Sequence, residues 1–368
     1  MYKYFSLVLL LCGAAFSNDA PFILGRNDEV INVKSKNITM REEEIIITLR
    51  KDYYEVDVTF LFFNKGPTEN VRLGFPVEAL QHDICDKDVY DFKSYINGEI
   101  ISKTITKNEK WTYEHDPSVS EYIRWFIRDA TFQADTYTTS RVTYKALYNS
   151  YSDNFVRAGY IYGTGRFWNG AIEKMSIVIN HGDDILIENI YFKHIKTSEF
   201  TWVANGQYRY VSKNVKPKTI FGDNISIIVQ PFDIYGKYNW QFGLTFGNRY
   251  DRIFGEEWYS DDVKDWISAN EDVSWVWDKI LIYKKPTEIR YYTKNQIRLF
   301  INFFSAIHGY DFTNPLYKEY FQKINNFGDK NRTKYKVNPN FSENGFNRIE
   351  RKNVDYLLNL EKKIPVGQ

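Results

Sequence analysis

The sequence predicts an α+β protein: an N-terminal β-sandwich, then a Trp-rich connector, then a small all-helical C-terminal domain. Three observations predict this order. Apolar and polar residues alternate in many short segments between about Ile31 and Phe232, which is typical of strands. Tryptophans then cluster between residues 233 and 287. Beyond Ile289, apolar residues recur at three- and four-residue spacing, which indicates amphipathic helices.

Residues 1–17 are predicted to be a secretory signal peptide. Lys3 supplies a positive charge ahead of the apolar run Tyr4–Phe16, and we expect cleavage before Asn18. The run is shorter than the about 20 apolar residues that a membrane span needs. Two alternatives stay open, a buried N-terminal helix and a lipoprotein anchored through Cys12. The protein is therefore expected to be exported to the periplasm or the extracellular cell envelope.

The charge and cysteine content exclude several classes of partner and cofactor. The chain has 48 Lys+Arg and 47 Asp+Glu, so it has no global electrostatic reason to bind nucleic acid or anionic lipid. No later stretch is apolar enough for a transmembrane span. After cleavage only Cys85 remains, so no intrachain disulfide is possible. His82 and Asp83 lie beside it, but the spacing is not that of a standard metal site, and we expect neither a metal nor a cofactor.

The β-sandwich domain is assigned to residues 18–235. Its clearest strand is 51–64, where apolar side chains alternate with polar ones. Asn64–Pro67 is predicted to be a turn that leads into a partner strand ended by Pro76. Asn97-Gly98 predicts a hairpin, because both residues tolerate the positive φ of a type I′ turn.

The same alternation predicts further strands, with a turn at His181–Asp184. These strands are Arg141–Tyr148, Met175–Asn180, Ile185–Phe192, Tyr208–Ser212 and Ile225–Gln230. Many short strands separated by turns favour a β-sandwich.

Three stretches of this region resemble an uncharacterised family of exported bacterial proteins. They are Asn18-Asp19 followed by Ile38–Glu43, Val58–Asn64 leading to Phe75-Pro76, and Tyr160–Gly170. The resemblance implies a signal peptide and an extracytoplasmic β-domain. It implies no catalytic residues.

The candidate ligand-stacking residues are aromatic. Trp168 follows Gly163-Thr164-Gly165, which lacks the Lys-Ser/Thr of a phosphate-binding loop. We expect Trp168 to pack over the end of the sandwich, and stacking against a sugar is the alternative. Trp240 and Trp258 belong to the connector, residues 236–287, which either packs two domains together or forms an aromatic groove for glycan or peptide. Carboxylates in the same Trp-rich region could act as the catalytic pair of a hydrolase.

The C-terminal pattern predicts three helices. Thr293 is expected to cap a helix that runs to about His308, and Gly309 to end it in a left-handed turn. Asn314-Pro315 is a typical start for the second helix. The third is predicted around the apolar positions between Phe346 and Leu360.

This module, residues 288–363, resembles the YARHG domain, a family appended to exported bacterial proteins. The matching motif positions are Asn302, Ala306, His308, Gly309, Tyr310 and Phe312. The matches continue through Asn314–Leu316, Glu319–Phe321, Tyr335, Asn338–Phe341 and Ile349–Asn353. The motif's Tyr falls on Ser305 and its Arg on Ile307, while Ile301 and Phe303 replace a further Arg and Glu. These replacements leave open whether a family function is lost or an internal ion pair is replaced by apolar packing.

No catalytic signature is present, since the sequence lacks G-x-S-x-G, H-E-x-x-H and a protease-like Cys-His pair. We expect His308 to serve a helix C-terminus rather than to act as a general base. The predicted function is therefore a non-catalytic envelope protein that binds cell-wall polymer or another envelope protein. The alternatives are a hydrolase with carboxylates near the Trp-rich region and a purely structural surface protein.

Overall fold

The computed structural model describes residues 19–24, 30–32, 34–79, 88–113, 116–152, 155–192, 201–219, 223–231, 292–323, 335–346 and 348–365. These residues form a β-dominated α+β fold with seventeen strands and three α-helices. The predicted fold class is confirmed at this level.

The strands and helices have the following bounds. The first nine strands are β1 Ala20–Leu24, β2 Val30–Asn32, β3 Ile38–Leu49, β4 Tyr53–Asn64, β5 Glu69–Ala79, β6 Val89–Ile96, β7 Glu99–Ile100, β8 Ile105–Tyr113 and β9 Asp116–Phe132. The others are β10 Thr136–Leu147, β11 Asn149–Ser152, β12 Phe155–Ile161, β13 Ile172–His181, β14 Ile185–Phe192, β15 Thr201–Ala204, β16 Gln207–Val215 and β17 Asn224–Pro231. The helices are α1 Lys294–Ile307, α2 Pro315–Lys323 and α3 Arg348–Lys363.

The strands form three sheets. One has the order β2-β1-β5-β9-β8, the second β15-β16-β13-β3-β4-β10-β6-β7, and the third β11-β12-β17-β14. In the eight-stranded sheet β4 pairs antiparallel with β3 and with β10. Strand β13 runs parallel to β3 on the other side.

The alternation predicted for residues 51–64 is confirmed in β4, where every second side chain is buried. Val56, Val58, Phe60 and Phe62 point to the inner face and are at most 1% exposed. Period-2 alternation fixes the register of a sheet, because a slip of one residue would move the whole apolar set to the other face.

The hairpin predicted at Asn97-Gly98 is confirmed between β6 and β7. Asn97 has φ 49° and Gly98 has φ 84°, as a type I′ turn requires.

The partner predicted for the strand after Pro67 is wrong. Strand β5 does not pair with β4; it pairs with β1 and β9 in the five-stranded sheet. It also continues through Pro76, which lies opposite Trp125 of β9. Pairing between β5 and β1 reaches only Leu73 and Gly74, so the missing N–H of Pro76 falls beyond that ladder.

The chain divides into two compact units. The first comprises residues 1–181, 188–201 and 208–231, and the second comprises 182–187, 202–207 and 232–368. The second unit therefore takes two short segments from the region that the sequence assigned to the β-domain. None of the helices described is long and apolar enough to cross a membrane.

The predicted caps of the helical module are present. Thr293 accepts a hydrogen bond from the backbone of Gln296, whose side chain in turn accepts from the Thr293 backbone, and this forms a capping box. Gly309 has φ 80° just after α1, and Asn314 accepts from the Leu316 N–H at the start of α2.

The first turn of α1 is also held by the two segments 182–187 and 202–207. The Gln296 amide donates to the carbonyl oxygens of Asp183 (3.1 Å) and Ile185 (2.6 Å). Asn295 donates to the Asp183 carboxylate, and Asn205 accepts from the Lys294 N–H. Asn205 thereby satisfies a helix-terminal N–H that the helix itself leaves free, and the other bonds fix the side chains of the first turn to residues 183–185.

We expect Gln296→Met to lower the free energy of unfolding of the full chain by about 1–3 kcal/mol, because Gln296 is fully buried and its loss removes two hydrogen bonds to the carbonyls of Asp183 and Ile185. Denaturant unfolding followed by circular dichroism would measure this. The matched control is Asn295→Ala, an exposed neighbour that contacts the same loop. An equal loss in both variants would contradict the role given to Gln296.

Candidate functional site

The first candidate site is a cluster of buried polar side chains in the first unit. We call Asp19, Glu43, Arg128, Ser140 and Tyr160 the buried carboxylate network. Each of these five residues is at most 2% exposed. Ionisable groups without solvent contact are rare and need partners, so this cluster is the strongest departure from an ordinary apolar core.

Asp19 is the centre of one half of the network. Its carboxylate accepts from Arg128 Nη2 at 2.6 Å and from Ser140 Oγ at 2.6 Å. Arg128 Nη2 also lies 2.9 Å from Ser140 Oγ. The Trp168 indole N–H donates to the backbone carbonyl of Asp19 at 2.9 Å. The pair is held through Arg128 Nη2, since Nε and Nη1 of the same guanidinium have no hydrogen-bond partner among the described residues.

Glu43 is the centre of the other half. Its Oε1 accepts a hydrogen bond from the Tyr160 hydroxyl at 2.9 Å, and its Oε2 has no hydrogen-bond partner among the described residues. Burial, together with the nearby Asp19 charge, raises the pKa of Glu43 to about 8, although the Tyr160 hydrogen bond opposes the shift. Burial also raises the pKa of Tyr160 well above its usual value. At neutral pH, Glu43 is therefore a neutral acid.

The three sheets each contribute to this network. Glu43 of β3 and Ser140 of β10 both lie opposite Phe60 of the intervening β4. Arg128 comes from β9 in the five-stranded sheet, and Tyr160 comes from β12 in the four-stranded sheet. The network therefore links all three sheets at one level of the core.

A β-bulge decides which glutamate enters the network. In β3, Ile38 and Met40 are buried, but after the bulge between Met40 and Glu42 the burial moves to odd-numbered positions. Glu43 consequently points inward while Glu42 and Glu44 are exposed. An extra residue in one strand is known to redirect side chains in this way.

The network can hold charge and protons, but its burial prevents contact with a substrate. Catalytic acids and bases must come within hydrogen-bond distance of a reacting group. The geometry therefore fits a structural and proton-binding role.

Trp168 is a buried core residue in this structure, so the stacking role considered for it is wrong. Trp168 is 1% exposed. Its ring centroid lies 4.4 Å from that of Phe62 and 5.8 Å from that of Phe132. With its faces packed and its N–H bonded to Asp19, it offers no surface to a sugar.

A second candidate site is the solvent face of the eight-stranded sheet. We call its accessible aromatic residues, Tyr53, Phe63, Tyr90, Tyr95 and Tyr137, the outer aromatic face. They come from β4, β6 and β10, and Tyr137 is the most exposed at 59%. Tyr137 lies directly opposite Phe63, with ring centroids 5.0 Å apart.

Two cations of this face are paired with carboxylates. Arg141 binds Asp57 at 2.6 Å and Lys145 binds Asp91 at 2.9 Å. The same cations lie near the rings: the Arg141 guanidinium is 5.6 Å from the Tyr95 centroid, and the Lys145 ammonium is 5.7 Å from that of Tyr53. The hydrogen bond from Lys145 lowers the pKa of Asp91. The face thus combines aromatic rings with little net charge.

The motif positions of the helical module form a packed turn. Ala306, Gly309 and Phe312 are buried, Asn302 and His308 are half-buried, and Tyr310 is 37% exposed.

Residues 335–341 close this turn. The Asn338 N–H donates to the Gly309 carbonyl at 2.8 Å. The ring of Tyr310 lies 5.0 Å from that of Phe341, and the Tyr335 hydroxyl donates to the Tyr310 carbonyl. The residues that carry the YARHG resemblance therefore lie together in the structure, where they pack against one another.

Several predicted site residues lie outside the described part of the chain. These are Trp240 and Trp258, the carboxylates of the connector, and Cys85 with its neighbours. Among the residues that the structure describes, no group of three or more His, Cys, Asp or Glu side chains could hold a metal ion.

The comparisons with known proteins yield distant similarities. No protein-family model and no curated protein sequence matches the chain. A Legionella pneumophila protein, provisionally described as nutrient-binding, aligns over 95% of this chain and 99% of its own, at 15% identity and a TM-score of 0.47. An M1 zinc metallopeptidase from Deinococcus radiodurans aligns over 54% of this chain and 44% of its own, at 10% identity and a TM-score of 0.30. Yeast LTA4 hydrolase aligns over 52% of this chain and 29% of its own, at 11% identity and a TM-score of 0.28. Such scores assign no function.

Proposed function

We propose that this protein is an exported, non-catalytic binding protein of the cell envelope, and that its outer aromatic face binds a neutral cell-wall glycan. This proposal rests on the combination, on that face, of the exposed Tyr137 ring and four half-buried rings with two cations, Arg141 and Lys145, that are already paired. Aromatic rings bind the apolar faces of sugars, and the surrounding polar groups can bond hydroxyls.

The paired charges favour a neutral polymer over a charged one. Lys174 is bonded to Glu42 at 3.0 Å, and Arg209 lies 3.9 Å from Glu44. Together with the Arg141 and Lys145 pairs, they leave the face without an unopposed cluster of one sign. A charged ligand would have to break such pairs, whereas a neutral glycan would not.

The dimensions of the face also fit an extended polymer. Strands β4 and β10 have twelve residues each, which corresponds to roughly 40 Å of strand at about 3.3 Å per residue. Tyr53 and Phe63 lie near opposite ends of β4. Rings spread along such a length are better suited to a chain of sugars than to a single small molecule.

The setting of this binding function is also part of the proposal. The predicted signal peptide and the two family resemblances support export, and a β-sandwich followed by the YARHG-like helical domain remains the proposed finer architecture. In this arrangement the sheet face binds polymer, and the helical domain is an accessory module.

We expect the purified protein to cosediment with peptidoglycan sacculi by contacts to their uncharged sugar backbone, and Tyr137→Ala to weaken binding about fivefold, since an exposed stacking contact contributes on the order of 1 kcal/mol. Raising the salt concentration should change the binding little, because surface charge interactions are the ones that salt screens. Tyr191→Ala is the matched control, since Tyr191 is 50% exposed on β14 of another sheet. No retention of the wild type, or equal losses in the two variants, would reject the glycan site.

A further inference from the structure

The Glu43 carboxyl is enclosed by groups from several elements. On β12 the Tyr160 hydroxyl donates to it. Asp19, which precedes β1, lies close enough for its charge to add to the effect of burial on the Glu43 pKa. Burial, then the charges of Asp223 and Glu43, raise the pKa of Tyr162. Arg128 of β9 and Ser140 of β10 contact Asp19. Through this enclosure Glu43 is linked to all three sheets of the first unit.

The charge arrangement accommodates one anion. The single positive charge of Arg128 is already matched by Asp19, whose two carboxylate oxygens both accept from Arg128 Nη2. An ionised Glu43 would be a second anion at the same buried level, and like charges in a shared site disfavour simultaneous ionisation.

We propose that Glu43 is a proton-operated latch: while its carboxyl is protonated the network holds one buried anion, and its ionisation in alkaline medium adds a second anion that loosens the packing of the three sheets around it. The step is a simple proton transfer. The Glu43 O–H bond breaks, the proton goes to water or hydroxide, and the carboxylate that remains keeps the Tyr160 hydrogen bond. This inference is independent of the glycan-binding proposal.

The direction of the pH effect follows from proton binding. The folded state keeps the Glu43 proton up to about pH 8, whereas an exposed glutamate loses it near 4.5. Between these values the folded chain binds the extra proton, so stability falls as the pH rises. The expected size is about a tenfold drop in the folding equilibrium constant per pH unit, which levels off above the folded-state pKa.

The test compares the wild-type chain with Glu43→Gln and Glu44→Gln in urea unfolding from pH 5 to 9. The amide introduced by Glu43→Gln mimics the protonated acid, so the ratio of wild-type to variant folding constants should fall about tenfold per unit until about pH 8. Glu44 lies one residue away on the exposed face. The folding constant of Glu44→Gln should therefore change with pH in the same way as that of the wild type. A pH-independent ratio between the wild type and Glu43→Gln would overturn the latch.

Infrared spectroscopy provides a second readout that does not require Glu43→Gln to fold. The wild type should show a protonated-carboxyl C=O band at pH 7 that disappears near pH 8. Tyr160→Phe should move the disappearance to higher pH, because the Tyr160 hydrogen bond favours the ionised form. Absence of the band at pH 7, or an unchanged midpoint in Tyr160→Phe, would contradict the proposal.

Discussion

Arg128→Met is expected to lower the free energy of unfolding by about 3–5 kcal/mol, the typical cost of breaking a buried ion pair. Both side chains of the Asp19–Arg128 pair are 0% exposed. Removal of the guanidinium leaves the Asp19 carboxylate with Ser140 as its side-chain donor. Urea denaturation followed by tryptophan fluorescence would measure the loss.

The matched control is Arg72→Met. Arg72 lies opposite Asp129 on the neighbouring strand, and the pair is bonded at 3.1 Å but exposed. We expect a change of about 0–1 kcal/mol there. The double variant Asp19→Asn, Arg128→Met removes both charges and should recover part of the loss. Equal effects at Arg128 and Arg72 would show that the buried network does not stabilise the fold as described.

Gly309→Ala is expected to cost about 2–5 kcal/mol, for two additive reasons. Gly309 has φ 80°, and a left-handed backbone costs an L-residue about 1–2 kcal/mol. A Cβ would also lie 2.5 Å from the Lys336 carbonyl and 2.8 Å from Asn338, and such overpacking typically costs about 1–3 kcal/mol.

Gly98→Ala separates the cost of the left-handed backbone from the cost of the steric overlap. Gly98 has φ 84°, but a Cβ there meets nothing within 4 Å. Its variant should lose only the backbone part, about 1–2 kcal/mol. Thermal unfolding of both variants would give the comparison. If Gly98→Ala were as destabilising as Gly309→Ala, the close approach of residues 336–338 would not explain the glycine.

Local signals in the sequence were sufficient for the elements that depend on local physics. The strict alternation of residues 51–64 predicted β4. Asn97-Gly98 predicted the hairpin between β6 and β7, because turn type is set by the two central residues. Thr293 predicted the start of α1, since a cap needs only a side-chain oxygen near the first N–H groups. Asp19, Glu43, Tyr160 and Trp168 all lie within the three stretches that carry the resemblance of the β-domain.

Their convergence was not predictable, because it depends on contacts between distant residues. The apolar residues Ile38 and Met40 place the inward-facing positions at even numbers, whereas Ile45 places them at odd numbers. The sequence alone does not say at which residue the change occurs. The bulge after Met40 resolves the conflict and turns Glu43 inward. Arg128 gave no signal at all, since an arginine in a strand is usually exposed.

Pairing partners were equally hard to infer. A turn at residues 64–67 suggested a hairpin between β4 and β5, yet the chain passes there from one sheet to another. The strand predicted at Ile185–Phe192 gave no indication that Leu186 would join the core of the helical module. Such choices are made by tertiary packing.

The parallel pairing of β13 with β3 has a kinetic consequence. Lys174 and its partner Glu42 are 132 residues apart in the chain, so this ladder closes a very long loop. Folding slows as contacts become more distant in sequence. Until β13 arrives, that side of β3 is an unfilled strand edge, and unpaired edges attract other chains. A newly made molecule should therefore be most prone to aggregation during this interval, and assistance from a chaperone would be most effective then.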